Sequence, residues 1–268
     1  MSRVRFTIAA LCLGLIVSYI FIGVLFFQPP VIFNLDQRLC GVSWQNWLGC
    51  DQNGNDIMTL LAYGGGVSLL VSLISVFLSV VLGSFLGLIS GYFGGRVDQF
   101  LMRLLDVFLA FPGILLAIFL SSALGPSYFN IILAISLTGW MGVARLIRGE
   151  VLSLKVREHV LAAKMIGASH WRILLSHIYP LIIPVLVVHT SFSISGAIII
   201  ESSLSFLGLG PQGALQSWGA TLSQGKDLLV EVPQIAIAPG ILITIVVLSL
   251  NLIGDSLRDF LDPLRCKK

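Results

Sequence analysis

Charge is what this sequence has least of: 11% of its 268 residues are Asp, Glu, Lys or Arg, against about 25% in soluble domains. That scarcity excludes an ordinary soluble enzyme. No basic tract suggests nucleic acid, and the formal charge of +3 is small. A phosphate-cradling loop of the form G-x-x-x-x-G-K-[ST] is also lacking. Gly225 and Lys226 are followed by Asp227, and Ala220 stands where its first glycine would be. Four cysteines offer neither zinc spacing nor a C-x-x-C pair: Cys12 lies in an apolar run, Cys266 near the end, and Cys40 and Cys50 in one hydrophilic segment. If that segment faces an oxidising compartment the latter two form a disulfide; otherwise they act as small apolar residues, and both readings stand. Ser203 and His189 have no motif around them that would make a nucleophile and its base.

What the sequence has is hydrophobic residues, 56% of the total, gathered in runs of roughly 20, each long enough to cross about 30 Å of hydrocarbon as a helix. Six spans are expected: Phe6 to Phe27, Val67 to Ser90, Phe100 to Ser122, Phe129 to Ile147, Leu181 to Leu207, and Ile235 to Ile253. The fold class is therefore an all-α membrane protein of about six transmembrane helices. The first run follows Arg3 and Arg5, exceeds a signal-peptide core and lacks a small-x-small cleavage pattern, so it reads as a retained anchor. Gly83, Gly87 and Gly91, four apart, suit close helix packing.

Basic residues fix an expected orientation, because they stay on the cytoplasmic side. With the N-terminus inside, fourteen of the sixteen Lys and Arg fall on inner segments or inner span ends, including Arg265, Lys267 and Lys268, and only Arg38 and Lys226 fall outside. One span more or fewer scatters this pattern. The organisation that follows is an anchor over 1–28, an extracytoplasmic loop over 29–66, and a transmembrane domain over 67–260. Both termini are expected in the cytoplasm of a bacterial inner membrane, with lipid around the spans.

The inner connection between the fourth and fifth spans reads RGEVLSLKVREHVLAAKMIGASHWRILLSHIYP from Arg148 to Pro180. A merely solvated loop has no reason to carry Val151, Leu154, Val160, Leu161, Met165, Ile166, Trp171, Ile173 and Leu174; amphipathic helices that dock on another surface do. Gly167 can end one helix and Ser169 can cap the next, giving helix, tight turn, helix. A hairpin lying on the inner leaflet is the alternative reading.

In this segment the sequence resembles the cytoplasmic signature of ABC importer permeases. Ala162 and Ala163, then Gly167 and the later Pro180, fall at that signature's spacing; Leu161 replaces the usual Glu, and Glu158 sits one turn earlier. WLGCDQNGNDIMTLLAYGGGVSL, GYFGGRVDQFLMRLLDVFLAFP, ARLIRGEVL, SFLGLG and NLIGDSLRDFLDP extend the resemblance, to the dipeptide, oligopeptide and nickel permeases, over nearly the whole chain. It implies a type I importer (MetI-like) fold and a coupling hairpin at about 150–180 carrying Glu158, Ala162, Ala163, Gly167, Ala168, Ser169 and Pro180. Its implied partners are a second homologous permease, two ATP-binding subunits and an extracytoplasmic substrate-binding protein. No cofactor is expected on this chain, whose partners hydrolyse ATP. Peptides are the first substrate expected and nickel or a nickel chelate the second; an ion-coupled secondary carrier is the rival of another class, and it has no use for an ATPase-docking hairpin.

Three further groups stand out. Glu201 and His189 either line the translocation path or make helix-packing hydrogen bonds. Arg103 and Asp106, three apart, are expected to pair on one helix face. Asp255, Arg258, Asp259 and Asp262 read as ion pairs at a helix end rather than a metal cluster.

Overall fold

A computed structural model describes residues 2–30, 35–211, 213 and 215–261. Asp262, Arg265, Cys266, Lys267 and Lys268 lie outside the described residues. In chain order the helices are α1 (Ser2–Phe26), α2 (Ile57–Phe93), α3 (Gly95–Leu109), α4 (Gly113–Leu124), α5 (Tyr128–Leu154), α6 (Glu158–Met165), α7 (His170–Arg172), α8 (Tyr179–Phe206), α9 (Trp218–Gly225) and α10 (Gln234–Leu261). A π turn at Ile173–Ile178 joins α7 to α8 in one continuous run. Among the described residues, α1, α2, α5, the α7–α8 run and α10 are long and apolar enough to span a membrane, and the bent pair α3–α4 supplies a sixth.

Two departures from the expected spans have physical causes. The second helix begins at Ile57, not Val67, because Asp56 caps it by accepting from Thr59 N at 2.9 Å and because Gly64 and Gly65 remain helical. Those glycines mark a close crossing rather than a loop: a β-carbon on Gly65 would lie 2.6 Å from the Trp218 ring, and one on Gly64 2.8 Å from Gln216 O. The third span is not one helix. Its halves meet at 83°, because Pro112 has no N–H to continue the ladder and biases the residue before it away from the helical region.

The segment before α2 is held by its own bonds. Cys40 and Cys50 form a disulfide, and Cys50 N donates to Cys40 O. Asp51 Oδ1 accepts from the backbone of Asn53 and Asn55 at 2.9 and 2.7 Å, which shapes the turn that delivers Asp56 to its capping position. Burial pushes the Asp51 carboxyl above its ordinary range, and those two N–H donors offset only part of that rise.

α2 and α5 form the central pair. Gly83, Gly87 and Gly91 bring α2 against Val143, Ala144, Ile147 and Val151, and Ser79 and Ser136 donate across the crossing to Ser136 O and Ser75 O, both at 3.2 Å. Small residues and short hydroxyl bonds are what hold helices together where lipid removes the hydrophobic drive. At the loop end, Trp218 is fully buried among Ile20, Ile57, Leu61 and Ile198, with Nε1 donating to Leu61 O at 2.8 Å. α9 is thus seated between α2, α8 and α10, and Gly219 leaves no room for a side chain beside the Ser202 carbonyl. α8 ends at a Gly208 of φ +80°, where Gly208 N bonds Ser205 O and Leu209 N bonds Leu204 O. That left-handed termination accounts for the SFLGLG run.

Candidate functional site

The hairpin leaves α5 at Leu154, turns through Arg157 and starts α6 at Glu158, with Glu158 in the first turn and Lys164 in the last, each at the favourable end of the helix dipole. Its inner side is fixed by packing. Val160 and Ala163 are buried with Val151, Leu154, Ile173, Leu174, Ile178 and Ile182, a cluster that reaches Leu88 of α2 and Ile147 of α5. The hairpin is therefore part of the helix bundle and not a free loop.

The turn explains the spacing of the signature residues. Gly167 takes φ +82°; its N–H bonds Lys164 O and the next N–H, of Ala168, bonds Ala163 O, both at 3.1 Å. This is the six-to-one and five-to-two pair of a left-handed helix termination, in which glycine avoids the β-carbon penalty and the flanking residues touch across the turn. Ala163 and Ala168 make that contact while both pack on the core cluster. Ser169 then accepts from Arg172 N at 3.4 Å to open α7. Further on, Pro180 has no N–H to offer, and Tyr179 N reaches back to Leu174 O, so the chain passes through a π turn before α8 proceeds.

What the hairpin shows outward is apolar. Met165 is 88% exposed, Ile166 86% and Trp171 56%, with Leu161 beside them, and Arg157, Glu158, Lys164 and Arg172 around them are exposed as well. Such a charge-rimmed apolar patch has the composition of surfaces that meet another protein or a membrane. Of the residues expected here, Glu158, Ala162, Gly167 and Ser169 lie on its exposed side, Ala163 is buried and Ala168 half-buried; Pro180 is exposed but stands apart, on α8. Tyr92 of α2 holds the second limb, its hydroxyl 2.9 Å from His170 Nδ1.

Glu201 and His189 are not brought together: twelve residues apart on one helix, they are separated by about 18 Å of rise. Glu201 is fully buried, hydrogen-bonded by Ser205 at 2.8 Å, by Ser202 at 3.4 Å, and by Ser68 of α2 and Ser217 at the cap of α9. His189 is half-buried, its Nδ1 3.1 Å from the Ser193 hydroxyl.

Arg103 and Asp106 do not pair as expected. Asp106 is instead bridged at 2.6 Å by Arg145 of α5. Arg148, read from the sequence only as an inner positive charge, forms a two-point fork with Asp98 of α3 at 2.5 and 2.6 Å. Contacts between α3 and α5 have no sequence period to announce them, so nothing in the sequence pointed to either bridge.

Comparison with known proteins agrees with this geometry. Residues 83–265 match the family described as "Binding-protein-dependent transport system inner membrane component". The glutathione transport system permease protein GsiD of Pectobacterium atrosepticum is 41% identical over 231 residues, 86% of this chain and 77% of that one. The oligopeptide transport system permease protein OppC of Haemophilus influenzae is 40% identical over 81% of this chain and 70% of its own length. The dipeptide transport system permease protein DppC of Alkalihalophilus pseudofirmus is 38% identical over 93% and 84%. Among solved structures, inward-facing forms of the MetNI methionine ABC transporter superpose with TM-scores of 0.58 and 0.61 at 16% identity, over 75% and 77% of this chain and 97% and 98% of theirs. At that identity the likeness is one of fold.

Proposed function

The chain belongs to the inner membrane components of binding-protein-dependent transport systems, and on that premise we propose that it forms, with a second permease of the same kind, the path by which an ATP-driven importer takes up peptides. It is a permease subunit and not an enzyme; the sequence holds no phosphate-binding loop of the usual form. The observation that carries the reading is the hairpin: a rigid apolar tip of Leu161, Met165, Ile166 and Trp171, packed through Ala163 onto α2 and α5. ATP binding in two partner subunits closes them on such tips, and the hairpin passes that movement to the helices it is packed on, a population shift driven by contacts that differ between two states. An extracytoplasmic binding protein delivers the substrate.

Peptides are favoured as substrate because relatives similar over most of this chain are named for oligopeptide, dipeptide and glutathione transport. The orientation, with both termini in the cytoplasm, is supported by two independent features. Fourteen of sixteen basic residues fall on one side, and the Cys40–Cys50 disulfide lies on the other, where oxidising conditions keep such bonds.

The test is uptake of a labelled dipeptide, and separately of nickel, in cells with and without the chain, repeated after ATP depletion with the ion gradient preserved. Loss of ATP-dependent dipeptide uptake is the expected result. Loss of nickel uptake alone overturns the substrate, and uptake that follows the ion gradient overturns the mechanism.

A further inference from the structure

In the broken helix pair, α4 packs on α5 through the buried Ala117, while α3 is attached differently. At one end it joins α2 through Gly94 and Gly95, two consecutive glycines at φ +66° and +55°, a junction that constrains direction little. At the other, α3 turns 83° into α4 beside Pro112. Within α3 itself Leu105 is buried, whereas Val97, Phe100, Leu104, Val107, Phe108 and Leu109 are exposed. Packing alone therefore holds α3 weakly.

Polar contacts supply the attachment. Asp98 takes both arms of the fork from Arg148 and a third bond from Ser90 of α2 at 2.5 Å, so that one carboxylate ties three helices together. The side chains of Arg148 and Asp98 are 30% and 17% exposed, whereas those of Arg145 and Asp106 in the second bridge are 56% and 63% exposed. A water-screened bridge contributes little; a shielded two-point fork fixes both distance and direction. The Arg148 end is also packed closely on α2. Its carbonyl lies 3.0 Å from where a β-carbon of Gly91 would sit, and Lys155, two turns on, donates to Gly91 O at 2.8 Å. From Lys155 the chain continues directly into the hairpin.

We propose that Asp98 is a positioning residue for coupling: α4 already packs on α5 through Ala117, and through Arg148 the Asp98 carboxylate makes α3 follow the same α2–α5–hairpin body, so that movement imposed on the hairpin is passed to the first half of the broken helix. The proposal rests on the ATP-driven importer reading above. Without the carboxylate, α3 swings on Gly94 and Gly95, and hydrolysis proceeds with less transport.

The experiment uses the complete transporter, all subunits assembled and reconstituted in lipid vesicles, and reads ATP hydrolysed per substrate imported together with the amount of assembled complex. Asp98→Asn keeps the shape and removes the charge; it is expected to raise that ratio about tenfold, within the range of ordinary coupling energies. Asp106→Asn is expected to stay within about twofold, as for an exposed bridge. Arg148→Lys, which keeps the charge but loses the fork, is expected to fall between them and serves if Asp98→Asn does not assemble. A purely structural role would lower uptake and hydrolysis together and leave the ratio unchanged; that result in Asp98→Asn, or in an assembled Arg148→Lys, overturns the proposal. A wild-type transporter with no ATP-dependent import instead overturns the importer reading beneath it.

Discussion

Gly87 of α2 faces the backbone of Ala144 on α5 so closely that a β-carbon would lie 2.6 Å from the Ala144 carbonyl oxygen and 2.9 Å from Cβ of Ile147. Neither obstacle is the flexible end of a side chain, so the helices themselves must part to admit one. Gly87→Leu is expected to destabilise the purified protein by about 1–3 kcal/mol, the usual cost of overpacking, seen as an earlier thermal unfolding in detergent. Gly142→Ala, a position with nothing within 4 Å, is the control. Equal losses in both variants would show that the close crossing is not what holds α2 to α5.

Much of this arrangement was legible in the sequence for a physical reason: lipid demands long apolar helices, and those leave runs that can be counted. The four-residue glycine spacing at 83, 87 and 91 announced a close helix crossing, though not that α5 is the partner, and Gly167 with Ser169 announced the hairpin turn. Gly64 to Gly66 misled because glycine signals either a loop or a close crossing, and the element that crosses there, α9 with Trp218, is distant in sequence. The serine cage of Glu201 was hidden likewise. Ser68 and Ser217 reach it from α2 and the cap of α9, and no periodicity relates them.

The turn at Gly167 offers a second test. Its φ of +82° suits glycine, is tolerated by asparagine and is costly for a β-branched residue, on the order of 1–3 kcal/mol. No atom lies within 4 Å of the site a β-carbon would take, so conformation and not crowding decides. Gly167→Val is expected to uncouple hydrolysis from uptake in the assembled transporter, while Gly167→Asn keeps most of the coupling. If valine couples as well as glycine, the turn does not set the geometry of the tip.

The disulfide tests orientation and stability together. Cys40 and Cys50 are ten residues apart, and closing a loop of that size is worth about 2–3 kcal/mol in the chain-entropy account. Replacing both with serine is expected to cost roughly that in the protein purified without reductant. In intact cells a membrane-impermeant thiol reagent is expected to label these cysteines only after external reduction. Labelling that requires opening the membrane would place the loop, and with it both termini, on the wrong side.

Glu201 gives the sharpest separation between a packing role and a path role. Four hydroxyls from α2, α8 and the α9 cap converge on its carboxylate, and a buried donor left without an acceptor costs about 1–3 kcal/mol. Glu201→Leu has similar bulk and strands all four, so it is expected to destabilise by several such increments and loosen α9. Glu201→Gln keeps one carbonyl acceptor and adds an amide that serine oxygens can accept, so it is expected to remain folded with a modest loss. The measurements are thermal unfolding and protease sensitivity of the 207–233 segment, set beside uptake. Uptake that falls in step with stability across both variants marks Glu201 as the fastening of α9. A glutamine variant that is stable yet transports poorly would instead place the carboxylate on the substrate's route, exposed in a state other than this one.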